Sequence, residues 1–481
     1  MKLSKGSIDR VLSAFAELDL GDPRRTRRVR KTVESLASNP RASFPEAMGG
    51  PAEIEGGYRL MSSSHVTMRE LNDAHAEATA QRARAVGRVL AIHDTTTFEF
   101  KHAEPEDIGY LNTGKAGFLA HYTLIVAADD TRRPLGICHV EDIARSKPPA
   151  KRSPKGYLRR KRSGAETVQD PARESTRWFR GFEATSQRLK GIDVIHVADR
   201  EGDNYDLLAQ ARERGFRFVI RARVLQRRVE GPDGEMETLR TVIDGARGTL
   251  SREVDLSARK RSPAPRSARP ARDARMATLE FASTTVAIRR PRYQSETLPS
   301  ETEVNVVRVF EPNPPADETP VEWVLLTTEP ISTAADVAAI VDIYRSRWLI
   351  EECNKALKTG CSYEDRQFES RDALLTLLAM TFPIACELLW LRAACRHDPK
   401  TPASQVLTRT QLAVLAHMAT RKLPPNPTVH DALWSIAALG GHMRTNGEPG
   451  WLVLHRGMTK LLAYEEGWSA RENAVGLSIS R

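Results

Sequence analysis

The stretch DIYRSRWLIEECNKALKTG, Asp342 to Gly360, sets one acid among several polar and basic side chains beside the bulky Trp348, Leu349 and Ile350. Read as a single helix, with each residue advancing by about 100°, it gathers Tyr344, Arg347, Glu351, Lys355 and Lys358 into an arc of roughly 80°. A solvated face laced with i,i+4 ion pairs would explain such a stripe, each pair contributing only about 0.3 kcal/mol. The alternative is an acidic ligand flanked by cations that hold phosphate. For this helix in isolation the solvated face is the simpler reading, so the rest of the chain has to decide.

A chain of 481 residues exceeds one ordinary hydrophobic core and predicts two or three domains. Its 72 lysines and arginines against 62 acids leave a formal charge of +10, which points to a polyanionic partner. Arginine dominates, and its planar fork suits bidentate phosphate contacts. Five cysteines with no C-x-x-C pair argue against structural zinc or a disulfide framework and suggest a cytoplasmic protein. Acids inside the first apolar stretch, MKLSKGSIDRVLSAFAELDLGD, argue against a signal peptide. The long apolar run from Ala373 to Leu391 contains Pro383 and Glu387, and reads as a buried core helix rather than a membrane span.

Residues 1–75 read as helical. Asp22 followed by Pro23 predicts a capped helix start, and Arg24, Arg25, Arg27, Arg28, Arg30 and Lys31 cover the helix that follows, a pattern suited to DNA-backbone contact. From Val86 to Ile220 short apolar runs predict strands: RVLAIHDTTTFEF, a hairpin of HYTLIVAADD and PLGICHVEDI, GIDVIHVADR leading into a helix, and FRFVIRARV. RSKPPAKRSPKGYLRRKRSG, Arg145 to Gly164, reads as a basic surface loop. Residues about 225–320 look like a β-rich insertion carrying a Pro/Arg-rich loop, after which VEWVLLTTEP returns to the main sheet. The expected division is therefore 1–75 helical, 76–370 α/β, and 371–481 helical.

Asp94 and Asp199 each follow an apolar run that reads as a strand, and strand ends gather at one sheet edge, where sites in α/β domains lie. Alone, either aspartate is a turn or cap residue; Asp94 in HDTTT could open an Asx turn. Together with Glu351, in a basic chain, they read as a site. Three converging carboxylates repel unless divalent cations neutralise them, and hard oxygen donors favour two Mg²⁺ ions, with Mn²⁺ able to substitute. Such a pair can drive phosphodiester cleavage.

The spacing Y-(2)-R-(3)-E-(6)-K at Tyr344, Arg347, Glu351 and Lys358 resembles the signature of the cut-and-paste DDE transposases of the IS-four group, to which the Tn-five transposase belongs. IHDTTTFEF is similar to that group's first-aspartate strand, VADREGDNYDLL to its second, and the block from Asp19 to Ser63 to its end-binding domain. The resemblance implies an α/β fold with an RNase H-like catalytic domain, flanked by a helical DNA-binding domain and a helical C-terminal dimerisation domain. It implies Asp94, Asp199 and Glu351 as catalytic metal ligands, and Tyr344, Arg347, Lys358 and Lys355 as phosphate contacts. Trp323 falls where the group places a tryptophan that stacks on a flipped base. Arg200, Glu201 and Asp203, and likewise Arg221 and Arg223, become candidates for orienting the site or lining a DNA channel. The implied activity is cleavage of double-stranded transposon ends, through a DNA hairpin, and joining to target DNA by a homodimer, with no membrane partner. A catalytically inactive inhibitor of transposition and an RNase H-like nuclease are the alternatives. The Pro/Arg-rich stretch 257–275 departs from the group, as does Pro51 where an aromatic is usual, and His93 takes no role.

Overall fold

Capping chemistry fixes the N-terminal helices. A computed structural model describes residues 3, 5–146, 174–256, 258, 272–316, 318–397, 400–418, 423–446 and 449–479, with some helix residues beyond 392 described by backbone alone. Helices α1 (Lys5–Ser13), α2 (Pro23–Ser38), α3 (Phe44–Met48), α4 (Pro51–Met61) and α5 (Met68–Val86) follow one another. Asp22 caps α2 by accepting from the Arg24 amide at 2.8 Å, with Pro23 at the first helical position, as the sequence predicts. Capping boxes at Ser43/Glu46 and Thr67/Glu70 start α3 and α5. The division expected at residue 75 is not a break, because α5 runs through it and packs its alanine-rich face against the sheet.

Among the described residues that sheet has eleven strands: β1 (Arg88–Glu99), β2 (Gly117–Ala127), β3 (Pro134–Ile143), β4 (Asp193–Ala198), β5 (Arg217–Arg221), β6 (Arg228–Glu230), β7 (Met236–Thr238), β8 (Gly248–Leu256), β9 (Arg275–Arg289), β10 (Glu301–Phe310) and β11 (Glu322–Thr327). Their order is β3-β2-β1-β4-β5-β11-β10-β9-β6-β7, with β8 beside β9. β1, β2 and β3 form an antiparallel meander, whereas β1, β4 and β5 are parallel. The expected hairpin is β2–β3. The β-rich insertion exists, but it extends the main sheet through β10 and β11 rather than standing apart, and it includes a short helix, Leu239–Gly245. Most of the basic loop from Arg145 to Gly164 and of the Pro/Arg-rich stretch lies outside the described residues.

Helix Arg371–His397 is long and apolar enough to cross a membrane, yet 94% of its apolar window is buried against the rest of the protein. Leu374, Leu377, Leu378 and Phe382 are sealed in the main core, and Glu387 accepts a bidentate bond from Arg10 of α1. Its charge is thus matched where it is buried. Beyond it, a separate small core joins helices Arg409–Met418, Val429–Leu439 and Trp451–Ile479. Two glycines let the last two cross closely: a Cβ on Gly457 would stand 1.7 Å from the Ile436 carbonyl oxygen, and one on Gly440 1.9 Å from that of Val453.

Candidate active site

Asp94 is not at a strand end. β-Branched residues carry β1 on through Thr95, Thr96 and Thr97 to Glu99, and Asp94 pairs in register with Tyr122 of β2. What ends there is the partner: the parallel ladder between β1 and β4 stops at Ile92 opposite Val197. Asp94 therefore stands on a strand whose neighbour has just run out. Asp199 follows β4 directly and caps a one-turn helix, Arg200–Gly202, accepting from the Glu201 amide at 2.8 Å. Alternation puts Asp94 and Asp199 on one side of the sheet, with Ile92 and Val197, and His93 and His196 on the other.

The stretch from Asp342 to Gly360 is not one regular helix. It is a helix Ala334–Arg345, a tightened link, a helix Trp348–Lys355 and a π-turn Ala356–Gly360. At the link the amides of Arg347, Leu349 and Ile350 bond three residues back, and Ser346 Oγ takes the Asp342 carbonyl at 3.1 Å. Overwinding at one end and a π-turn at the other break up the five-residue stripe. Arg347 and Glu351 remain neighbours, with Nη1 and Nη2 of the guanidinium each 3.2 Å from one carboxylate oxygen. Lys355 turns to Glu352 at 2.8 Å and to the Trp348 ring, while Lys358 donates to the Thr97 carbonyl of β1 at 2.5 Å.

Tyr344 is buried and edge-on to Trp323 of β11, with ring centres 5.6 Å apart, and the Arg221 guanidinium lies 5.8 Å from the Trp323 ring. Three candidates far apart in sequence thus form one cluster. Trp323 is half-buried, and Arg200 and Arg223 are exposed. Asp203, whose side chain is fully buried, pairs with Arg227 and accepts from the amides of Arg223 and Val224, so it anchors the loop after β5.

The three acids interact. Burial raises the Asp94 pKa to about 7, and the charges of Glu351 and Asp199 push the same way against Arg347 and a hydrogen bond from Asn354. Burial works against the charge of Arg347, but Tyr344, Asp94, Glu351 and Asp199 hold its pKa above the usual value. The donor set is hard oxygen under excess negative charge, which fits Mg²⁺ or Mn²⁺ in chemistry. It is not preassembled: among the described residues no three acid, histidine or cysteine side chains stand close enough to grip one ion. Each carboxylate instead meets a protein donor: Asn354 for Asp94, the Glu201 amide for Asp199, Arg347 for Glu351.

Two supporting residues escaped the sequence reading. Asn354 donates to Asp94 at 3.0 Å and accepts from the Tyr122 hydroxyl at 2.7 Å; its only signal is its position one helical turn after Glu351. Arg177, 8% exposed, donates to Thr95 at 2.9 Å and Glu201 at 2.8 Å, tying together the segments that carry the two aspartates. No local pattern marks it. His93 belongs to a buried bridge behind the acids: its Nε2 is 2.9 Å from His196 Nδ1 and its Nδ1 is 2.9 Å from the Thr123 hydroxyl. Burial depresses both imidazoles, His196 to about 3, so they link β1 and β4 as neutral rings.

On α2, Arg24, Arg27 and Lys31 form one exposed stripe at i, i+3 and i+7, and Lys31 is paired with Glu53 of α4. Arg25, Arg28 and Arg30 are half-buried, Arg25 and Arg30 being tied to the Leu20 and Phe15 carbonyls.

Two family models match the chain: residues 11–66 match the one described as transposase DNA-binding, and residues 180–385 the one described as transposase DDE domain. The second span includes Asp199 and Glu351 and begins downstream of Asp94. Among solved structures, the cryo-EM piggyBac transposase synaptic complex with hairpin DNA is similar at 10% identity and a TM-score of 0.31, over 82% of this chain and 74% of that one. The chain carries the DNA-binding and DDE domains of a DNA transposase. DDE domains typically work with a divalent metal ion.

Proposed function

We propose that this chain, carrying both transposase domains, is a cut-and-paste enzyme of the IS-four group that excises an element through hairpin ends and joins its 3′ ends to target DNA. The observation that carries the reading is geometric: the Asn354–Asp94 bond of 3.0 Å holds the helix that bears Glu351 against β1, and Arg177 ties Thr95, next to Asp94, to Glu201, near Asp199. Two Mg²⁺ ions held by these carboxylates would supply an activated hydroxyl and charge stabilisation at the leaving oxygen. The chain's own part is placement. Arg177 and the His93–His196 bridge hold the aspartate-bearing segments, and Asn354 orients Asp94. Arg347, bonded to Glu351, is the cation placed to turn toward a scissile phosphate. The Arg221–Trp323–Tyr344 cluster offers an aromatic face on which an unpaired base can stack. A homodimer pairing two ends, working in the cytoplasm on nucleoid DNA, completes the reading.

The test is incubation with the DNA that flanks the reading frame, with Mg²⁺ and then with a chelator. Hairpin and strand-transfer products that vanish on chelation, and in Asp94→Ala and Asp199→Ala, support the reading. Hydrolysis without joining would make the protein a nuclease.

The exposed stripe on α2 gives a separate expectation. Replacing Arg24 and Arg27 together by glutamine lowers the slope of log K against log salt for duplex binding by about 2, since each phosphate contact contributes about 0.9. Anisotropy titrations across a salt series measure it, and an unchanged slope would take these two residues off the DNA.

A further inference from the structure

The N-terminal helices meet the edge of the sheet at a cavity of about 150 Å³, lined by Arg10 of α1, His75 and Arg82 of α5, Arg133 and Gly136 of the β2–β3 hairpin, and Glu387. Its charges do not balance. Arg10 takes the Glu387 carboxylate at 2.5 Å and lies over the Trp390 ring. Arg82 places Nε on the Leu135 carbonyl at 2.7 Å and Nη2 3.4 Å from the Thr79 hydroxyl, both neutral oxygens. Neither Arg82 nor Arg133 has an ion pair among the described residues. Burial lowers the Arg82 pKa, against an opposing pull from Cys386, and the charge of Arg133 adds to the lowering.

A second observation points the same way. His75, 1% exposed, accepts from the Ile137 amide through Nε2 at 3.4 Å, so its proton sits on Nδ1. That Nδ1 is buried without a hydrogen-bond partner. A buried donor left unpaired costs free energy, and the cavity's one carboxylate, Glu387, is already taken by Arg10, which leaves Arg82 and the exposed Arg133 without a carboxylate of their own. The Gly136 position is equally crowded with polar atoms, since a Cβ there would meet Thr79 Oγ1, His75 Nε2 and Arg82 Nη2 within 3.1 Å.

We propose that this cavity binds a tetrahedral oxyanion of phosphate size, which bridges α5 to the β2–β3 hairpin beside α1 and fastens the N-terminal helices to the edge of the catalytic sheet. Its volume is below the roughly 300–1,000 Å³ of sites that enclose drug-sized ligands, so a nucleotide does not fit, whereas a free phosphate ion or one DNA phosphate does. None of the three acids lines this cavity, and the proposal is independent of the reaction assigned above.

The experiment compares thermal unfolding of the full chain in sodium phosphate and in sodium chloride at equal ionic strength. Wild type is expected to gain about 3 °C or more in phosphate, because a ligand of the native state raises its midpoint by mass action. Arg133→Gln, at an exposed residue without an ion pair, is expected to fold normally and lose most of that gain, and Arg82→Gln to lose all of it. The same gain in Arg133→Gln as in wild type, or none in wild type, overturns the proposal. Anisotropy with a labelled duplex identifies the source: weaker binding by Arg133→Gln means a DNA phosphate, and unchanged binding with the phosphate gain lost means a free ion.

Discussion

Glu351→Gln is expected to lower strand cleavage by about 10⁴-fold, equivalent to roughly 5.4 kcal/mol of transition-state stabilisation, while duplex binding stays at wild-type strength. The substitution keeps the shape of the side chain and removes only its charge. That charge is half of the Arg347–Glu351 pair, and it also raises the pKa of Asp94. Losing it frees Arg347, so phosphate contact is preserved or strengthened. A purely structural Glu351 predicts something else: lowered stability with cleavage falling only in proportion. Measuring single-turnover cleavage, duplex affinity and the unfolding midpoint on one preparation separates these. Cleavage within tenfold of wild type would remove Glu351 from the site.

Asp94→Asn is expected to make the metal-free protein more stable at pH 8, by about 2 to 4 kcal/mol. The folded carboxyl has its pKa raised from an ordinary 3.8 to about 7, first by burial and then by Glu351 and Asp199. The folded state therefore holds the proton more tightly than the unfolded chain does. Stability from this residue is intact below about pH 4, falls as pH rises toward 7, and stays low above it. Asparagine cannot ionise, and its carbonyl can still accept from Asn354. Denaturant titrations in chelator at pH 5 and pH 8 should show wild type losing stability between the two and the variant losing less. Parallel losses would mean that Asp94 is not strained by its neighbours.

Much of this was legible in residue order. The Asp22-Pro23 cap, the apolar runs of β4 and β5, the β2–β3 hairpin and the core helix with Pro383 followed from rules that act over a few residues. Asp94 as a strand end did not hold, because the threonines after it sustain β1 while the chain that stops is β4. The five-residue stripe did not hold either. Wheel geometry assumes a constant turn, and both the link at Ser346 and the π-turn at Lys358 change it.

By itself the sequence determined which side chains could do chemistry here: two aspartates after apolar runs, a glutamate beside arginine, and an arginine-rich helix start. Those follow from side-chain type and short-range pattern. The tertiary structure alone decided their company. Asn354 reaches Asp94 from 260 residues away, Arg177 joins Thr95 to Glu201, and Arg10 meets Glu387 across 377 positions. No local propensity encodes such meetings, because they arise when separate apolar faces are buried against one another and bring their polar edges together.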